Sequence, residues 1–266
     1  MTDKASREER EVAVAYEELW VPALFGQWSK IVATEAMLEP EHQVLDVACG
    51  TGVLTNEVAS RLRNAAQVTG IDNNPGMLSV AMEHNKEIRW EQGPAENLPF
   101  QDHRFDIVLC QFGLMFFSDR VKAVQEMVRV LKPGGRMLVT VWDALENIPA
   151  YSKIALTIEK YGGSKVREIL NRPFELGDKH ILQSTFNEAG VSDISIATHT
   201  GTARFPDLKS MLDADLRGWL PILGITFGEQ DIQEIYNDAS VALGSYISPN
   251  GNVNFNLTAH VVTYQA

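Results

Sequence analysis

The segment Val44-Leu45-Asp46-Val47-Ala48-Cys49-Gly50-Thr51-Gly52-Val53-Leu54 decides the fold of this 266-residue chain. It combines an apolar run, an acid and two glycines with a following helix, which is typical of a strand that turns tightly into a helix. The glycines let the main chain approach a ligand, and the first N–H groups of the helix remain unpaired. Such a helix start suits a carboxylate or a phosphate. The same short pattern also occurs in strand-to-helix turns that bind nothing.

The next predicted strand, at residues 67–71, favours a nucleotide ligand because it ends in an acid. Asp72 lies where a strand–helix–strand unit places the carboxylate that binds a ribose diol. A dinucleotide-binding turn needs a third small residue, and the β-branched Thr55 occupies that position. The turn therefore predicts a ligand smaller than NAD.

The overall charge makes nucleic acid a poor partner, and none is expected. The chain has 23 basic and 35 acidic side chains, a formal net charge of −12, and no dense basic cluster. Binding to phosphate backbones needs positive charge along one face. The charge balance and the composition indicate an ordinary acidic globular protein.

Hydropathy predicts neither a membrane span nor a secretory signal. The longest apolar stretches, such as residues 108–117, are much shorter than the roughly 20 residues that cross a bilayer. Residues 1–11 are densely charged, with no apolar segment after them, so a cytoplasmic location is expected. We expect a monomer or a homodimer.

Cysteine and histidine usage predicts no metal site and no disulfide framework. The six histidines are scattered singly along the chain, without the spacing of metal ligands. The two cysteines, Cys49 and Cys110, each end a predicted strand. They are interpreted as small residues of the core.

Alternating strands and helices predict an α/β fold with a parallel sheet covered on both faces. Two helices, at residues 8–20 and 24–38, are separated by Pro22 and precede the sheet. The predicted strands are 43–48, 67–71, 88–91, 105–111 and 136–142, and the helices between them are 52–62, 75–83 and 119–131.

The pattern becomes less regular after Trp142. Helices are expected at 148–161, broken by Gly162-Gly163, and then at 165–170, 178–189, 208–216 and 230–242, with a bend at Trp219-Leu220-Pro221. Residues 194–200 and 252–262 alternate as strands, and the last of these suits an antiparallel position.

Five motifs in order resemble the class I S-adenosylmethionine-dependent methyltransferases, and most closely the branch of the ubiquinone and menaquinone methyltransferases. They are residues 44–54, Asp72 with 73–78 behind it, 93–100, 105–108 and 131–136. The resemblance covers about residues 41–142. It implies a Rossmann-like sheet of seven strands, mostly parallel with an antiparallel last strand beside the fifth, helices on both faces and helical lid insertions.

The resemblance also implies how the chain divides. Residues 1–40 would form a helical cap and 41–142 the cofactor-binding core. Residues 143–172 and 206–251 would be helical insertions that form a lid, while 173–205 and 252–266 would complete the core.

The resemblance implies S-adenosyl-L-methionine as the cofactor. Gly50 and Gly52 would receive its methionine part, Asp46 would support the turn, and Asp72 would hold the ribose hydroxyls. The wider set of cofactor residues comprises Tyr16, Asp46, Ala48, Gly50, Gly52, Asp72, Asn73, Met77, Pro94, Ala95, Glu96 and Gln111.

Pro94 departs from the family pattern, because many relatives carry an aspartate there that accepts from the adenine amino group. Proline has no such acceptor in its side chain and no N–H. The adenine edge is therefore expected to meet the Ala95 main chain, with Glu96 or a water as acceptor. Residues 111–114 lack the Asn-Pro-Pro-Tyr type signature of relatives that methylate amide or base nitrogens.

The sequence leaves the catalytic residue open. Tyr16, Asp143, Tyr151 and His180 are candidates for a base, and His260 is interpreted as structural. The aromatic residues expected in the acceptor pocket are Trp20, Trp142, Tyr151, Phe174, Trp219 and Phe227. The same aromatic side chains would equally form the core of the insertions.

We therefore predict a methyltransferase acting on the oxygen or carbon of a small hydrophobic or aromatic metabolite by in-line methyl transfer. The alternatives are a protein that binds S-adenosylmethionine for a non-methylating role and, less in keeping with the turn, a nicotinamide oxidoreductase.

Overall fold

A seven-stranded sheet forms the centre of the molecule in the computed structural model, which describes residues 5–266. Its strand order is β3-β2-β1-β4-β5-β7-β6. Strand β7 runs antiparallel to both β5 and β6, and the other neighbours are parallel. The strands are β1 (Val44–Val47), β2 (Val68–Asp72), β3 (Arg89–Gln92), β4 (Phe105–Gln111), β5 (Leu131–Trp142), β6 (Ile194–Phe205) and β7 (Val253–Gln265). This confirms the predicted fold class.

Helices cover both faces of the sheet. The α-helices are α1 (Arg7–Ala15), α2 (Gly26–Glu35), α3 (Val53–Ala59), α4 (Pro75–His84), α5 (Arg120–Val130), α6 (Pro149–Asn171), α7 (Lys179–Glu188), α8 (Leu208–Asp213), α9 (Leu220–Ile222) and α10 (Glu229–Ala242). A first π-helix spans Tyr16–Phe25 and a second spans Ala214–Trp219.

Two buried clusters of apolar residues divide between the faces. The smaller one packs α2 and α3 against strand residues such as Val44, Leu109 and Leu138. The larger one joins the other face to α5 and α6 and includes Trp28, Val108 and Phe186. Both free cysteines are buried, as expected of core residues. The central strands are therefore buried on both sides, which explains their nearly continuous apolar sequences.

The prediction that the helix ends near Pro22 is wrong. Helical structure continues from Arg7 to Glu35, and Pro22 lies inside the first π-helix. Proline breaks an α-helix because it lacks an N–H and because its ring crowds the preceding turn. The wider turn of the π-helix accommodates it here.

The later part of the chain also differs from prediction in detail. The expected break at Gly162-Gly163 is a kink at Gly163 (φ 73°, ψ −175°) inside the single helix α6. The expected bend at Trp219-Leu220-Pro221 is helical, and the chain turns at Leu223 and Gly224 instead. Proline at the start of α9 requires no hydrogen-bond partner for its nitrogen, so it starts a turn there instead of ending one.

Strand β5 begins five residues earlier than the predicted 136, at Leu131. Gly134 N–H donates to the carbonyl of Ala266, and Ala266 N–H donates to Gly135, which holds this glycine turn against the end of β7. No helix within residues 5–266 is long and apolar enough to span a membrane.

Candidate functional site

The loop after β1 turns by means of three left-handed residues. Ala48, Gly50 and Gly52 have φ values of 56°, 56° and 88°. Cys49 N–H donates to the carbonyl of Ile71, and Gly52 N–H donates to Cys49, so this loop is attached to the end of β2. Left-handed conformations favour glycine, which explains the Gly50–Thr51–Gly52 pattern.

The carboxylate of Asp72 joins the tips of β1 and β2. One oxygen accepts from Gly50 N–H at 2.8 Å and the other from Asn74 N–H at 2.8 Å. Burial raises the pKa of Asp72, against the opposing effect of these main-chain donors. Each oxygen keeps a lone pair for a further donor, so the carboxylate can accept hydrogen bonds from two hydroxyls of a ligand.

Asp46 supports the same turn from inside the core. Its carboxylate accepts from the Thr55 hydroxyl at 2.6 Å, and its other oxygen is buried without a partner among residues 5–266. Burial raises the pKa of Asp46 to about 7. Asp46 and Gly52 do not line the cavity described below. Thr55, at the position of the missing third small residue, is thus the partner of Asp46.

Gly52 and Gly70 make room for the indole of Trp90. A Cβ atom at Gly70 would lie 2.5 Å from Trp90 Cζ3, and one at Gly52 would lie 2.7 Å from Trp90 Cη2. Trp90 Nε1–H donates to the carbonyl of Asn85 at 2.8 Å, which fixes the ring. The indole of Trp90 therefore packs against Gly52 and Gly70 and supports the loop after β1.

The end of β4 supplies the third side of the site. Phe112 has a φ of 57°, and a Cβ atom at Gly113 would lie 2.6 Å from the Cβ of Ala48. The loops after β1 and β4 thus touch at these two small residues. The side-chain oxygen of Gln111 is buried and accepts no hydrogen bond from any residue in the described part of the chain.

Glu96 closes one edge of the site. Its carboxylate accepts from the N–H and the hydroxyl of Ser118, at 2.9 and 2.8 Å. Although burial opposes the change, these donors lower the pKa of Glu96. Glu96 is therefore ionised and held in place next to the half of the site that contains Pro94 and Ala95.

The first π-helix and α1 cover the strand tips. Tyr16 stacks on Phe25, with ring centroids 5.3 Å apart. Burial and the carboxylate of Asp72 raise the pKa of Tyr16, so its hydroxyl stays protonated. Helix α1 rests on α4 at Gly76, where a Cβ atom would lie only 2.4 Å from the carbonyl oxygen of Glu9.

These elements enclose one cavity of about 1460 Å³, well above the roughly 300–1,000 Å³ of a pocket for a single drug-sized ligand. Ten of the twelve predicted cofactor residues line it, namely Tyr16, Ala48, Gly50, Asp72, Asn73, Met77, Pro94, Ala95, Glu96 and Gln111. Five of the six aromatic residues expected in the acceptor pocket also line it, namely Trp20, Trp142, Tyr151, Phe174 and Trp219. Phe227 does not, because it packs beside Gly162 on α6.

Aromatic rings build much of the wall. Phe112 stacks on Trp142 with centroids 3.8 Å apart and an interplanar angle of 16°, and Trp28 packs edge-on against both. Further out, Tyr151 contacts Phe174 at 5.7 Å. Trp28 is fully buried and belongs to the core, whereas the others face the cavity.

Two of the four candidate bases lie outside the cavity. His180 is exposed at the start of α7. The Asp143 carboxylate accepts from Asn147 and the Thr258 hydroxyl, and it lies 3.2 Å from Nε2 of His260. His260 also donates to the carbonyl of Gly177, so this buried pair connects β7 to the segment that precedes α7. The expected structural role of His260 agrees with these contacts.

Asp215 is a site residue that sequence reasoning missed. It lies in the second π-helix, is 5% exposed and lines the cavity. Burial raises its pKa to about 7. The signal that could have found it is an acid on the inward stripe of Met211, Leu212, Leu216 and Trp219, where an apolar residue is expected.

The charge around the cavity is mostly negative. Its acidic side chains are Glu8, Glu11, Asp72, Glu96, Asp213 and Asp215, and Arg217 is the one basic residue among the described lining. The Arg217 guanidinium is bound to both oxygens of Glu229. Within residues 5–266, no group of three or more potential ligands is placed to hold a metal ion.

Comparison with known proteins agrees with this geometry. A family profile described as a methyltransferase domain matches residues 44–135. The demethylmenaquinone methyltransferase of Staphylococcus epidermidis is 34% identical over an alignment of 188 residues that covers 65% of this chain and 78% of the relative. The ubiquinone/menaquinone biosynthesis C-methyltransferase UbiE of Shewanella sediminis is 36% identical over 137 residues, covering 48% of this chain and 55% of that protein.

The fold is also shared with solved structures. The YcgJ protein of Bacillus subtilis superposes with a TM-score of 0.59 at 21% identity, over 90% of this chain and 97% of that one. With the sheet order, the strand-tip turn and the relatives in agreement, the chain belongs to the class I S-adenosylmethionine-dependent methyltransferases, near the branch of the ubiquinone and menaquinone methyltransferases.

Proposed function

We propose that this enzyme methylates the oxygen or carbon of a small, hydrophobic or aromatic metabolite. The observation that carries the proposal is the single cavity, which begins at the strand tips and continues beneath an aromatic wall. Its volume of about 1460 Å³ leaves room for an acceptor beside the cofactor.

The residues at the strand tips fit S-adenosylmethionine. Asp72 offers two acceptor oxygens for the ribose hydroxyls, and the unpartnered Gln111 oxygen suits a cationic donor such as the methionine ammonium group. The turn at Gly50, which lines the cavity just before α3, would receive its carboxylate. Met77 and Ala95 supply apolar surface for the adenine ring. When bound, the cofactor supplies an electrophilic methyl group on a sulfonium.

The protein's own contribution is alignment and exclusion of water. Positioning two reactants for in-line attack can lower a barrier by roughly 7–11 kcal/mol. The first π-helix, α6 and the second π-helix line the cavity on the sides away from the strand tips. They would hold the acceptor against the methyl group and keep solvent out, which is the role proposed for the N-terminal cap and the two lid insertions.

The lining favours a neutral acceptor. Trp20, Trp142, Tyr151, Phe174 and Trp219 offer flat apolar faces, which suit an aromatic ring. An anionic acceptor would face six acidic side chains and one arginine that is already paired. The relatives named for demethylmenaquinone and for ubiquinone and menaquinone biosynthesis support an acceptor of quinol type.

The proposal can be tested with radiolabelled S-adenosylmethionine and a panel of acceptors. The panel pairs naphthalene diols and alkyl phenols with aliphatic amines, phosphorylated alcohols and a single-stranded oligonucleotide. We expect label in the first group, and mass spectrometry of the product then distinguishes O-methyl from C-methyl. Label confined to amines, phosphates or nucleic acid would contradict the proposal.

A matched variant separates acceptor from cofactor effects. Trp219→Leu removes an aromatic face from the acceptor half of the cavity, far along the chain from the strand tips. We expect a higher KM for the aromatic acceptor and unchanged affinity for S-adenosylhomocysteine in calorimetry. Loss of S-adenosylhomocysteine affinity in this variant would contradict the assignment of Trp219 to the acceptor.

A further inference from the structure

We propose that Asp215 is the general base of the acceptor half of the cavity, and that the acceptor therefore presents an acidic hydroxyl, as a phenol or a quinol does. This inference rests on the proposed function, because it needs an aromatic acceptor beside the cofactor. It goes further by naming the group that takes the proton and the functional group that loses it.

The position of Asp215 is the first support. The second π-helix turns Ala214, Asp215 and Leu216 inward and leaves Arg217 and Gly218 exposed. Asp215 lines the same cavity as Tyr151, Phe174 and Trp219. π-helical turns cost hydrogen-bond geometry and occur frequently at functional sites.

The second support is that nothing neutralises this acid. Within residues 5–266, no side chain or main-chain N–H donates a hydrogen bond to its carboxylate, and no cation is paired with it. The residue is 5% exposed and lines the cavity, so the hydrogen-bond donor that its carboxylate lacks can come from a ligand there. Its chemistry suits a ligand that brings the missing donor.

The neighbouring charges leave Asp215 free to act. Asp213, two residues earlier, is bound by Tyr236, Lys209 and Arg217. Tyr151 interacts electrostatically with Asp215, and the pKa of Tyr151 is raised by burial and by this carboxylate. The other acids and tyrosine on the cavity are Tyr16 and Asp72 at the strand tips, Glu96 beside Ser118, and Glu8 and Glu11 on α1.

The acidity is appropriate to the task. Burial raises the pKa of Asp215 to about 7, and a base works best when its pKa lies near the working pH. Tyr16 and Tyr151 both have raised pKa values and stay protonated, so neither accepts a proton. Tyr151 can instead donate its hydroxyl proton to the acceptor oxygen and orient it.

The acceptor O–H bond breaks, its proton moves to a carboxylate oxygen of Asp215, and the electron pair stays on the acceptor. The acceptor oxygen, or the ring carbon beside it, forms a bond to the methyl carbon. The bond between that carbon and sulfur breaks, and its electrons remain on sulfur as a neutral thioether. For attack by carbon, the ketone oxygen takes back the proton held by Asp215 and the ring proton leaves to water, which restores the aromatic hydroxyl and the carboxylate.

The first test measures binding without methyl transfer, with para-nitrophenol as probe in the presence of S-adenosylhomocysteine. Its absorbance distinguishes the phenol from the phenolate. At the higher pH both the probe and Asp215 carry a negative charge, and the two charges repel each other. In the wild type we therefore expect the affinity for the probe to fall by about tenfold or more between roughly pH 6.5 and 8.5. In Asp215→Asn this weakening should shrink to about threefold or less.

The second test uses reaction rates with phenols of graded acidity. For an unactivated phenol, Asp215→Asn should lower kcat by about 10²- to 10⁴-fold, the usual contribution of a general base. A nitro-substituted phenol, which ionises without help, should recover most of that loss. The kcat of the wild type should rise from acid to neutral pH, and this rise should be absent from Asp215→Asn.

Asp213→Asn is the matched control, because it removes a neighbouring carboxylate whose oxygens are already bonded. Asp213→Asn should keep the wild-type pH dependence of probe binding and of kcat. Any loss of kcat in this variant should be the same for acidic and unactivated phenols. Failure of the wild type to bind para-nitrophenol, or equal pH dependence in wild type and Asp215→Asn, would overturn the inference. Preference for an aliphatic amine, with no recovery by acidic phenols, would overturn it as well.

These outcomes are distinguishable from failure of the proposed function. If the wild type methylates no aromatic acceptor in the panel, the proposed function fails. If it methylates aromatic hydroxyl compounds and Asp215→Asn does so at the same rate, only the role of Asp215 fails.

Discussion

The side chain of Asp72 and the main chain of Gly50 are joined by a hydrogen bond of 2.8 Å, which connects the tips of two adjacent parallel strands. The two residues are 22 positions apart in the sequence. One carboxylate therefore both fixes the turn after β1 and faces the cavity, so that the stability of the turn and ligand binding depend on the same group.

Asp72→Ala should weaken S-adenosylhomocysteine binding. The variant would lose the acceptors proposed for the ribose hydroxyls and would also release the N–H groups of Gly50 and Asn74, which together predict a loss of about 1–3 kcal/mol. Calorimetry measures this directly. Asp106→Ala is the control, since Asp106 lies near the start of β4, at the opposite end of that strand from the site, and binds Lys132. Equal affinity in Asp72→Ala and wild type would contradict the assignment.

Gly76→Ala should loosen α1 without unfolding the core. The new Cβ atom would lie 2.4 Å from the main-chain oxygen of Glu9, so α1 must move away from α4. We expect a loss of about 1–3 kcal/mol of local protection in hydrogen–deuterium exchange, confined to α1 and the first π-helix. S-adenosylhomocysteine should bind more weakly, because Tyr16 covers the cavity. Uniform loss of protection across the sheet would refute this.

Gly70→Ala should destabilise the fold by crowding Trp90. The added Cβ would lie 2.5 and 2.6 Å from two ring carbons of that indole, and overpacking of this kind costs about 1–3 kcal/mol. Urea unfolding gives the value. Replacing Trp90 by Leu in the same chain should recover part of the loss. Gly244→Ala is the control, because no atom lies within 4 Å of its added Cβ.

Glu126→Gln should lower stability at neutral pH and have little effect in acid. Glu126 accepts two hydrogen bonds from Arg129 and one from Leu98 N–H, and the Arg129 bonds are the main reason why its pKa is lowered. Because the folded-state pKa is depressed, the stabilisation is present above the ordinary value of 4.5 and is lost as the pH falls through the folded-state value.

The expected difference at neutral pH is about 1–3 kcal/mol in the free energy of unfolding. Urea titrations at several pH values should show the two curves converging in acid. Glu11→Gln is the control, since the Arg7–Glu11 pair is exposed and should contribute little at any pH. A constant gap across the pH range would show that the charge of Glu126 is not the cause.

Much of the fold could be predicted because its signals are local. Asp72 follows a short apolar strand, and the glycines after Asp46 permit the left-handed turn, so their order along the chain already indicates the site. The antiparallel last strand followed from family resemblance together with alternation in its sequence. These features depend on backbone conformation and on residues close in sequence.

Other features depend on contacts that periodicity does not reveal. Pro22 was expected to end a helix, and a π-helical turn accommodates it instead. Asp215 carries no motif, and its importance arises only when α6 and the second π-helix enclose it. Phe227 was assigned to the acceptor pocket by its aromatic character, whereas the fold places it beside Gly162.

The two halves of the cavity are made by different stretches of chain. The strand tips of the central sheet supply one half, and α6 with residues 208–222 supplies much of the other. Substitutions in α6 and in residues 208–222 can therefore redirect the enzyme to new acceptors without changing its affinity for the methyl donor. A directed-evolution library restricted to those helices should yield altered selectivity without a corresponding loss of cofactor affinity.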